Sequence, residues 1–228
     1  MSIASTKWSQ NLTQILLDHS VGRGVQDKYD TILLHSASYH GSLELVRMLL
    51  QHGVKSNEMN HRGETALHVV ARGRYDSKGS IRVARLLLEH GVDVNAEDKD
   101  RDTPLHSASY SGNLEIARVL LHHGANANVK NDRGETALHQ VSQGGYGSQT
   151  DGVGIAKHLL DRGVDMNSRD ENGVTSLHLA SWCGKLEIAR LLLEHSTSKN
   201  NRVRNLLHVG IEGQSYPQNI VVFDLHLS

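Results

Sequence analysis

One cysteine, two prolines, one phenylalanine and no long apolar run set the first limits on this 228-residue chain. Cys183 alone closes no intramolecular disulfide and builds no cysteine-based structural zinc site, as expected of a reducing compartment. Runs such as Leu86-Leu87-Leu88 fall far short of the roughly 20 apolar residues that cross a bilayer, so no membrane span is expected. The opening residues hold no uninterrupted apolar stretch of the secretory kind, and the cytoplasm or nucleus is the expected location. Lys plus Arg total 24 against 25 Asp plus Glu. With a net charge of -1 there is no basic footprint for a phosphate polymer, so nucleic acid is not an expected partner. Aromatics make up only 4%, too few for one compact core of this size. The apolar share of 38%, with 21 glycines beside it, is still close to ordinary globular composition and argues against disorder throughout.

What is present is repetition. Thr65-Ala66-Leu67-His68, Thr103-Pro104-Leu105-His106, Thr136-Ala137-Leu138-His139 and Thr175-Ser176-Leu177-His178 repeat one phrase, with Leu34-His35 and Leu207-His208 as degenerate copies. The six histidines are separated by 33, 38, 33, 39 and 30 residues. A second phrase lies between them, as in Leu87-Leu88-Glu89-His90-Gly91 and Leu120-Leu121-His122-His123-Gly124. In the third unit Thr103 is placed to cap a helix whose first position is Pro104, where a missing N–H costs nothing. Gly112 ends that helix. Leu114, Ile116, Ala117, Leu120 and Leu121 then recur at helical spacing, and Gly124 stops the second helix as a left-handed residue. Neither short helix can bury its apolar face within its own unit, so the units must stack on one elongated core. Closely stacked short helices need Ala and Leu rather than rings, which accounts for the scarcity of aromatics.

At these residues the sequence resembles the ankyrin repeat family, with its TPLHxA phrase, leucine-rich second helix and DxxGxT turn. The resemblance covers about residues 31–196. It implies an all-α solenoid of helix-turn-helix units with protruding β-hairpin fingers, and a protein-binding scaffold, acting as a monomer, rather than an enzyme. Five repeats are expected over 31–64, 65–102, 103–135, 136–174 and 175–196, the last with a truncated finger. Residues 1–30 read as a capping half-repeat, because Trp8, Leu12, Ile15 and Leu16 form one apolar helical face. Residues 197–228 read as a degenerate sixth half-repeat and a tail. The β-prone end Ile220-Val221-Val222-Phe223 fits a cap, a docking peptide or a truncated array alike.

The second and fourth repeats carry insertions between their helices, Gly73 to Ser80 and Gly144 to Gly154. Their Gly and Ser content predicts loops, with Arg74, Tyr75 and Tyr146 as loop candidates for binding. The period is therefore a pair of repeats: HSASY at His35 recurs at His106, and RGETALH at Arg62 recurs at Arg133. A duplication of two repeats explains this without any function.

Sixteen histidines invite a metal, yet eleven occupy the two repeat phrases, and no HExxH or CxxC spacing occurs. The resemblance implies that the TxLH histidines tie repeat to repeat. No cofactor is expected: the GxG fragments near Tyr146 and Val153 lack a third Gly and a preceding strand, and there is no phosphate-binding loop or nucleophile elbow. Cys183 could serve as a nucleophile only with a partner base. Its plainer reading is a surface thiol.

The resemblance places the binding surface at the two residues before the Gly that ends each first helix, and at the finger tips. The first set is Tyr39 and His40, Arg72 and Gly73, Tyr110 and Ser111, Gln143 and Gly144, Trp182 and Cys183. The second is Met59, His61 and Arg62; Glu97, Lys99 and Asp100; Lys130, Asp132 and Arg133; Arg169, Glu171 and Asn172. Tyr39, Tyr110 and Trp182 would recur roughly every 20 Å if packed helices lie about 8–10 Å apart, and such rings make good anchors. Their competing role is to shield the neighbouring inserted loops. Tips of mixed sign suit a protein partner, and equally suit solvated turns. Arg101 stands where the other fingers have Gly, so that turn is expected to depart from the common geometry. Two other functions stand beside it: a substrate for hydroxylation at finger asparagines such as Asn95, and, remotely, a metal-dependent enzyme.

Overall fold

The structure, a computed structural model, describes residues 26–73, 78–144 and 149–199. Ten helices form in pairs among them: α1 (Gln26–Tyr39) with α2 (Leu43–Gln51), α3 (Ala66–Arg72) with α4 (Lys78–Glu89), and α5 (Pro104–Ser111) with α6 (Leu114–His122). They continue with α7 (Ala137–Gln143) and α8 (Gln149–Asp161), then α9 (Ser176–Trp182) and α10 (Leu186–Lys199). First helices pack on first helices and second on second, so α1, α3, α5, α7 and α9 make one layer and the even-numbered helices the other.

Each TxLH helix starts for a stated chemical reason. At Thr65, Thr103, Thr136 and Thr175 the backbone is extended, and the threonine and the histidine three residues on form a reciprocal capping box. Two otherwise orphaned N–H groups at the helix start are thereby satisfied. Pro104 occupies the first turn as its sequence position requires. The phrase leucines Leu34, Leu67, Leu105 and Leu138 are at most 1% exposed, and with Leu49, Leu87, Leu120 and Leu159 they form a single continuous core between the layers. A fully buried Leu contributes about 2 kcal/mol.

α1 is the exception. Ile32 stands where the other units have the capping Thr, and the helix runs through that point from Gln26. The boundary drawn at residue 30 thus falls inside a helix. The remainder of the N-terminal cap, residues 1–25, and the tail from residue 200 lie outside the described residues.

The fingers differ from expectation. Among the described residues they contain no strand. Each is a tight turn closed by two backbone bonds at 2.9–3.0 Å: Asn60 N–H to Glu64, Asp98 to Asp102, Asn131 to Glu135 and Asp170 to Val174, and in return Gly63 to Asn60, Arg101 to Asp98, Gly134 to Asn131 and Gly173 to Asp170. Five residues are too few to extend a ladder, and the spare N–H groups of the tips bond sideways to the preceding finger: Lys99 to Arg62, Asp132 to Asp100 and Glu171 to Arg133. The expected departure at Arg101 does not occur. Arg101 adopts φ 59°, against 78°, 73° and 76° for Gly63, Gly134 and Gly173 in the same place, and its N–H closes the same turn to Asp98. An L-residue pays roughly 1–2 kcal/mol for that conformation, partly offset by the Arg101–Glu97 ion pair at 3.1 Å.

The insertions are also less loop-like than their composition suggests. Lys78 to Ser80 and Gln149 to Gly154 belong to α4 and α8, which run to 12 and 13 residues against 9 for α2 and α6. Only 73–77 and 144–148 remain between helices, and Arg74, Tyr75 and Tyr146 fall in 74–77 and 145–148, outside the described residues. The insertion changes how the first helix ends. Gly112 closes α5 in the left-handed region, φ 70°, whereas Gly73 and Gly144 close α3 and α7 in extended conformations that any residue tolerates. Their glycine is required by space instead: a Cβ on Gly144 would lie 2.4 Å from the Tyr110 carbonyl oxygen, and one on Gly73 3.2 Å from that of Val70. Gly144→Ala should therefore cost about 2–3 kcal/mol, because backbone must move to make room. Gly73→Ala should cost less than about 1 kcal/mol, the lost chain entropy of the unfolded state helping it. Chemical denaturation of the two variants beside the parent measures the difference.

Candidate partner-binding groove

Stacking is tied together by the TxLH histidines. At His68, His106 and His139 the Nδ1 atom receives the backbone N–H of Thr65, Thr103 and Thr136 at 3.1 Å. An N–H can only donate, so Nδ1 is the acceptor and the proton sits on Nε2. That Nε2–H donates to the carbonyl before the next cap: His68 to Asp102 at 2.9 Å, His106 to Glu135 at 3.1 Å, His139 to Val174 at 3.2 Å. His35, without a capping Thr, faces the Thr31 and Glu64 carbonyls instead. Burial lowers the pKa of His68, His106 and His139, the carbonyl bonds opposing only in part.

These bonds set the floor of a concave groove between the fingers and the first helices. Its centre is a cavity of about 570 Å³ reaching from Arg62 and Lys99 on the fingers to Tyr110 and Gln143 on the helices. Glu64 and Asp102 line it, and Glu135, whose partners Arg133, Gln140 and Gln143 line it, holds the same place in its repeat; each stands one residue before a capping Thr. Glu64 accepts from Asn60 at 2.7 Å and from both guanidinium nitrogens of Arg72. Burial pushes its pKa up, but the Asn60 and Arg72 hydrogen bonds and the charges of Arg72 and Arg62 win and hold it below the usual range. Glu135 accepts from Asn131, Gln140 and Gln143 at 2.9–3.3 Å and pairs with Arg133 at 3.3 Å. Asp102 accepts from Asn131 at 2.9 Å. Burial, abetted by Asp98 and Glu135 and opposed by Asn131 and Arg133, raises its pKa to about 6.

The predicted positions divide by environment. Tyr39, Tyr110 and Trp182 stand at the ends of α1, α5 and α9, 37%, 41% and 57% exposed. Of these, only Tyr110 lines the cavity. Tyr39 meets the His40 ring edge-on at 5.2 Å, and Trp182 lies 6.0 Å from His178. Cys183 is an exposed thiol. Arg72 and Gln143 are committed to Glu64 and Glu135, and Ser111 is buried with its hydroxyl on the Arg72 carbonyl, 3.3 Å away. Structure thus turns these three from free contacts into parts of the groove floor.

On the fingers Met59, His61, Arg62, Lys99, Asp100, Asp132, Glu171 and Asn172 are exposed. Glu97 holds Arg101, Lys130 Nζ donates to the Arg169 carbonyl, and Arg169 to that of Gly173. Asn95 bridges repeats, its Oδ1 accepting the Asn126 N–H at 2.7 Å. Glu64, Asp102, Glu135, Asn131 and Gln140 were not singled out beforehand. The signal was present: an acidic residue precedes Thr65, Thr103 and Thr136 alike. Among the described residues no three His, Cys, Asp or Glu side chains are grouped to hold a metal ion, and no helix is long and apolar enough to cross a membrane.

A family model described as ankyrin repeats matches three times, over residues 1–98, 54–131 and 123–203. The chain belongs to the ankyrin repeat family. Ankyrin repeats are generally protein–protein interaction modules, and proteins built from them are usually not enzymes. No curated protein matches the chain.

The lowered pKa of the buried rings predicts that this ankyrin array loses stability in acid. A histidine whose pKa is lowered on folding takes up its proton more readily in the unfolded chain, so stability falls as pH drops through 6.5. Asp102, raised on folding, works the other way: the folded state takes its proton first, giving stability as pH falls through about 6. Unfolding free energy should decrease between pH 7.5 and pH 5.5, and more steeply in Asp102→Asn, which loses the opposing proton uptake. Urea titrations across that range give both slopes, and equal slopes would remove Asp102 from the account.

Proposed function

We propose that the chain is a non-enzymatic scaffold that binds a protein partner along its concave groove, as a monomer, in the cytoplasm or nucleus. Tyr39, Tyr110 and Trp182 serve as anchors, and the exposed finger residues Met59, His61, Arg62, Lys99, Asp100, Asp132, Glu171 and Asn172 set specificity. The observation that supports this reading is the row itself: three large rings exposed at one repeat position, of which Tyr110 lines a cavity whose floor is already hydrogen-bonded. Rings of this kind bring rigid, amphipathic area to an interface. A prebuilt floor adds little ordering entropy to the cost of binding.

The test is affinity capture from native extract with the intact chain beside a Tyr39→Ala, Tyr110→Ala, Trp182→Ala variant of matched thermal unfolding. A protein retained by the first should be lost from the second, since each anchor removed costs about 1–2 kcal/mol or more. Equal retention of the same protein by both would move the site away from the aromatic rim.

A further inference from the structure

The last described unit ends in an open face. Leu177 and His178 are half-buried, whereas at the same places Leu34, Leu67, Leu105 and Leu138, and His68, His106 and His139, are buried. Leu191 is likewise half-buried where Leu86 and Val119 are buried. The His178 Nδ1 completes the cap at Thr175 as its counterparts do. Among the described residues no carbonyl meets its Nε2, the atom by which His68, His106 and His139 each hold the next unit.

The joints between units alternate. In the first, third and fifth units a glycine stands six residues after the phrase histidine, and Gly41, Gly112 and Gly184 are left-handed, φ 64°, 70° and 66°. In the second and fourth it stands five residues after. There Gly73 and Gly144 are extended and lie at the carbonyls of Tyr39 and Tyr110, the ring residues of the unit before. Beyond the described residues the chain repeats the second pattern: Gly213 follows His208 by five. Asn205 stands at the capping place, where asparagine serves as well as threonine. Tyr216 follows Gly213 closely, as Tyr75 follows Gly73 and Tyr146 follows Gly144. A sixth unit thus falls in the even phase, beside an odd unit whose ring residue is Trp182.

We propose that residues 205–213 fold as a helix on the open face of α9 and α10, with His178 Nε2–H donating to the Arg204 carbonyl and Gly213 lying at the Trp182 carbonyl. Leu207 joins the core beside Leu177 and Leu191. The connection is long enough. α10 runs 14 residues against 9 for α6, an overrun of about 7.5 Å. With helices about 8–10 Å apart both between layers and between units, Lys199 and Asn205 are about 16 Å apart, and the steps joining them reach about 20 Å. Covering the face removes the half-exposed leucines from water and gives the His178 donor its acceptor. Trp182 then stands as Tyr39 and Tyr110 do, beside the glycine stem of the following unit.

The test is proton–nitrogen NMR with hydrogen exchange on the full chain at pH 7.5. The Nε2–H of His178 should be observed, as those of His68, His106 and His139 should, because a bonded proton exchanges slowly. The amides of Val209 to Gly213 should exchange at least about tenfold more slowly than in an unfolded chain. Leu207→Asp and Gly213→Val should each release the His178 proton and these amides while leaving His68 and His106 protected. The valine variant keeps every apolar residue, so its effect reads the contact at Trp182. A His178 proton that exchanges as in free imidazole, or unprotected amides over 209–213, would overturn the assignment. So would protection that survives both substitutions, since the helix would then lie elsewhere. Protection that rises with protein concentration would give the face to a second copy of the chain and overturn it too.

Discussion

One imidazole in each of the three central units, His68, His106 and His139, joins three things that would otherwise be independent. Its Nδ1 completes the cap of its own helix, its Nε2–H holds the carbonyl that precedes the next cap, and its burial seals the joint between stacked helices. In the central units the ring must be neutral, because a backbone N–H occupies one nitrogen and a carbonyl the other. A buried donor or acceptor left unmade costs about 1–3 kcal/mol, so each histidine enforces the spacing between its helix and the next finger. Repeat-to-repeat register therefore follows from local hydrogen bonding as much as from the leucine core.

That register also makes the groove. The carbonyl bound by each of these rings belongs to the residue just before the next capping Thr, which is Asp102, Glu135 and, in the last such joint, Val174. Wherever that residue is Glu or Asp, the histidine bond carries a carboxylate into the floor. Burying three carboxylates in a row is costly unless each is compensated. Arg72 and Asn60 compensate Glu64, and an amide cluster with Arg133 compensates Glu135. At Asp102 the compensation is partial, and its raised pKa is the physical mark of that.

The two-repeat period has a structural expression. Units without insertion turn tightly through a left-handed glycine such as Gly112, while the longer units leave their first helix extended, with Gly144 against the backbone of the preceding tyrosine. Asn113 in turn donates to the Gly73 carbonyl at 3.3 Å, so the stem of the first insertion is held between the two units that flank it. Tyr39 and Tyr110 stand beside these stems. The same geometry serves either role weighed for the rings, anchor or shield, and the triple variant separates them.

Helix pairing, the capping threonines and the stacking histidines were legible in the residues, because each depends on contacts within about one period of the chain and recurs several times. The exposed tyrosines and tryptophan were legible for the same reason. The pairing of Arg72 with Glu64, the burial of Ser111 and the Asn131 bond to Asp102 were not. Each depends on which neighbour fills a space shared between units, and recurrence says nothing about that. The lack of strands in the fingers and the helical half of each insertion likewise needed three dimensions: composition marked both as irregular or extended, while packing against adjacent units decided how many backbone groups could be paired and where. Local periodicity thus dictated a stack of helix pairs with rings along one rim. Which charges that stack leaves uncompensated was decided only when the units met, because electrostatic compensation is a property of spatial neighbours rather than of sequence position.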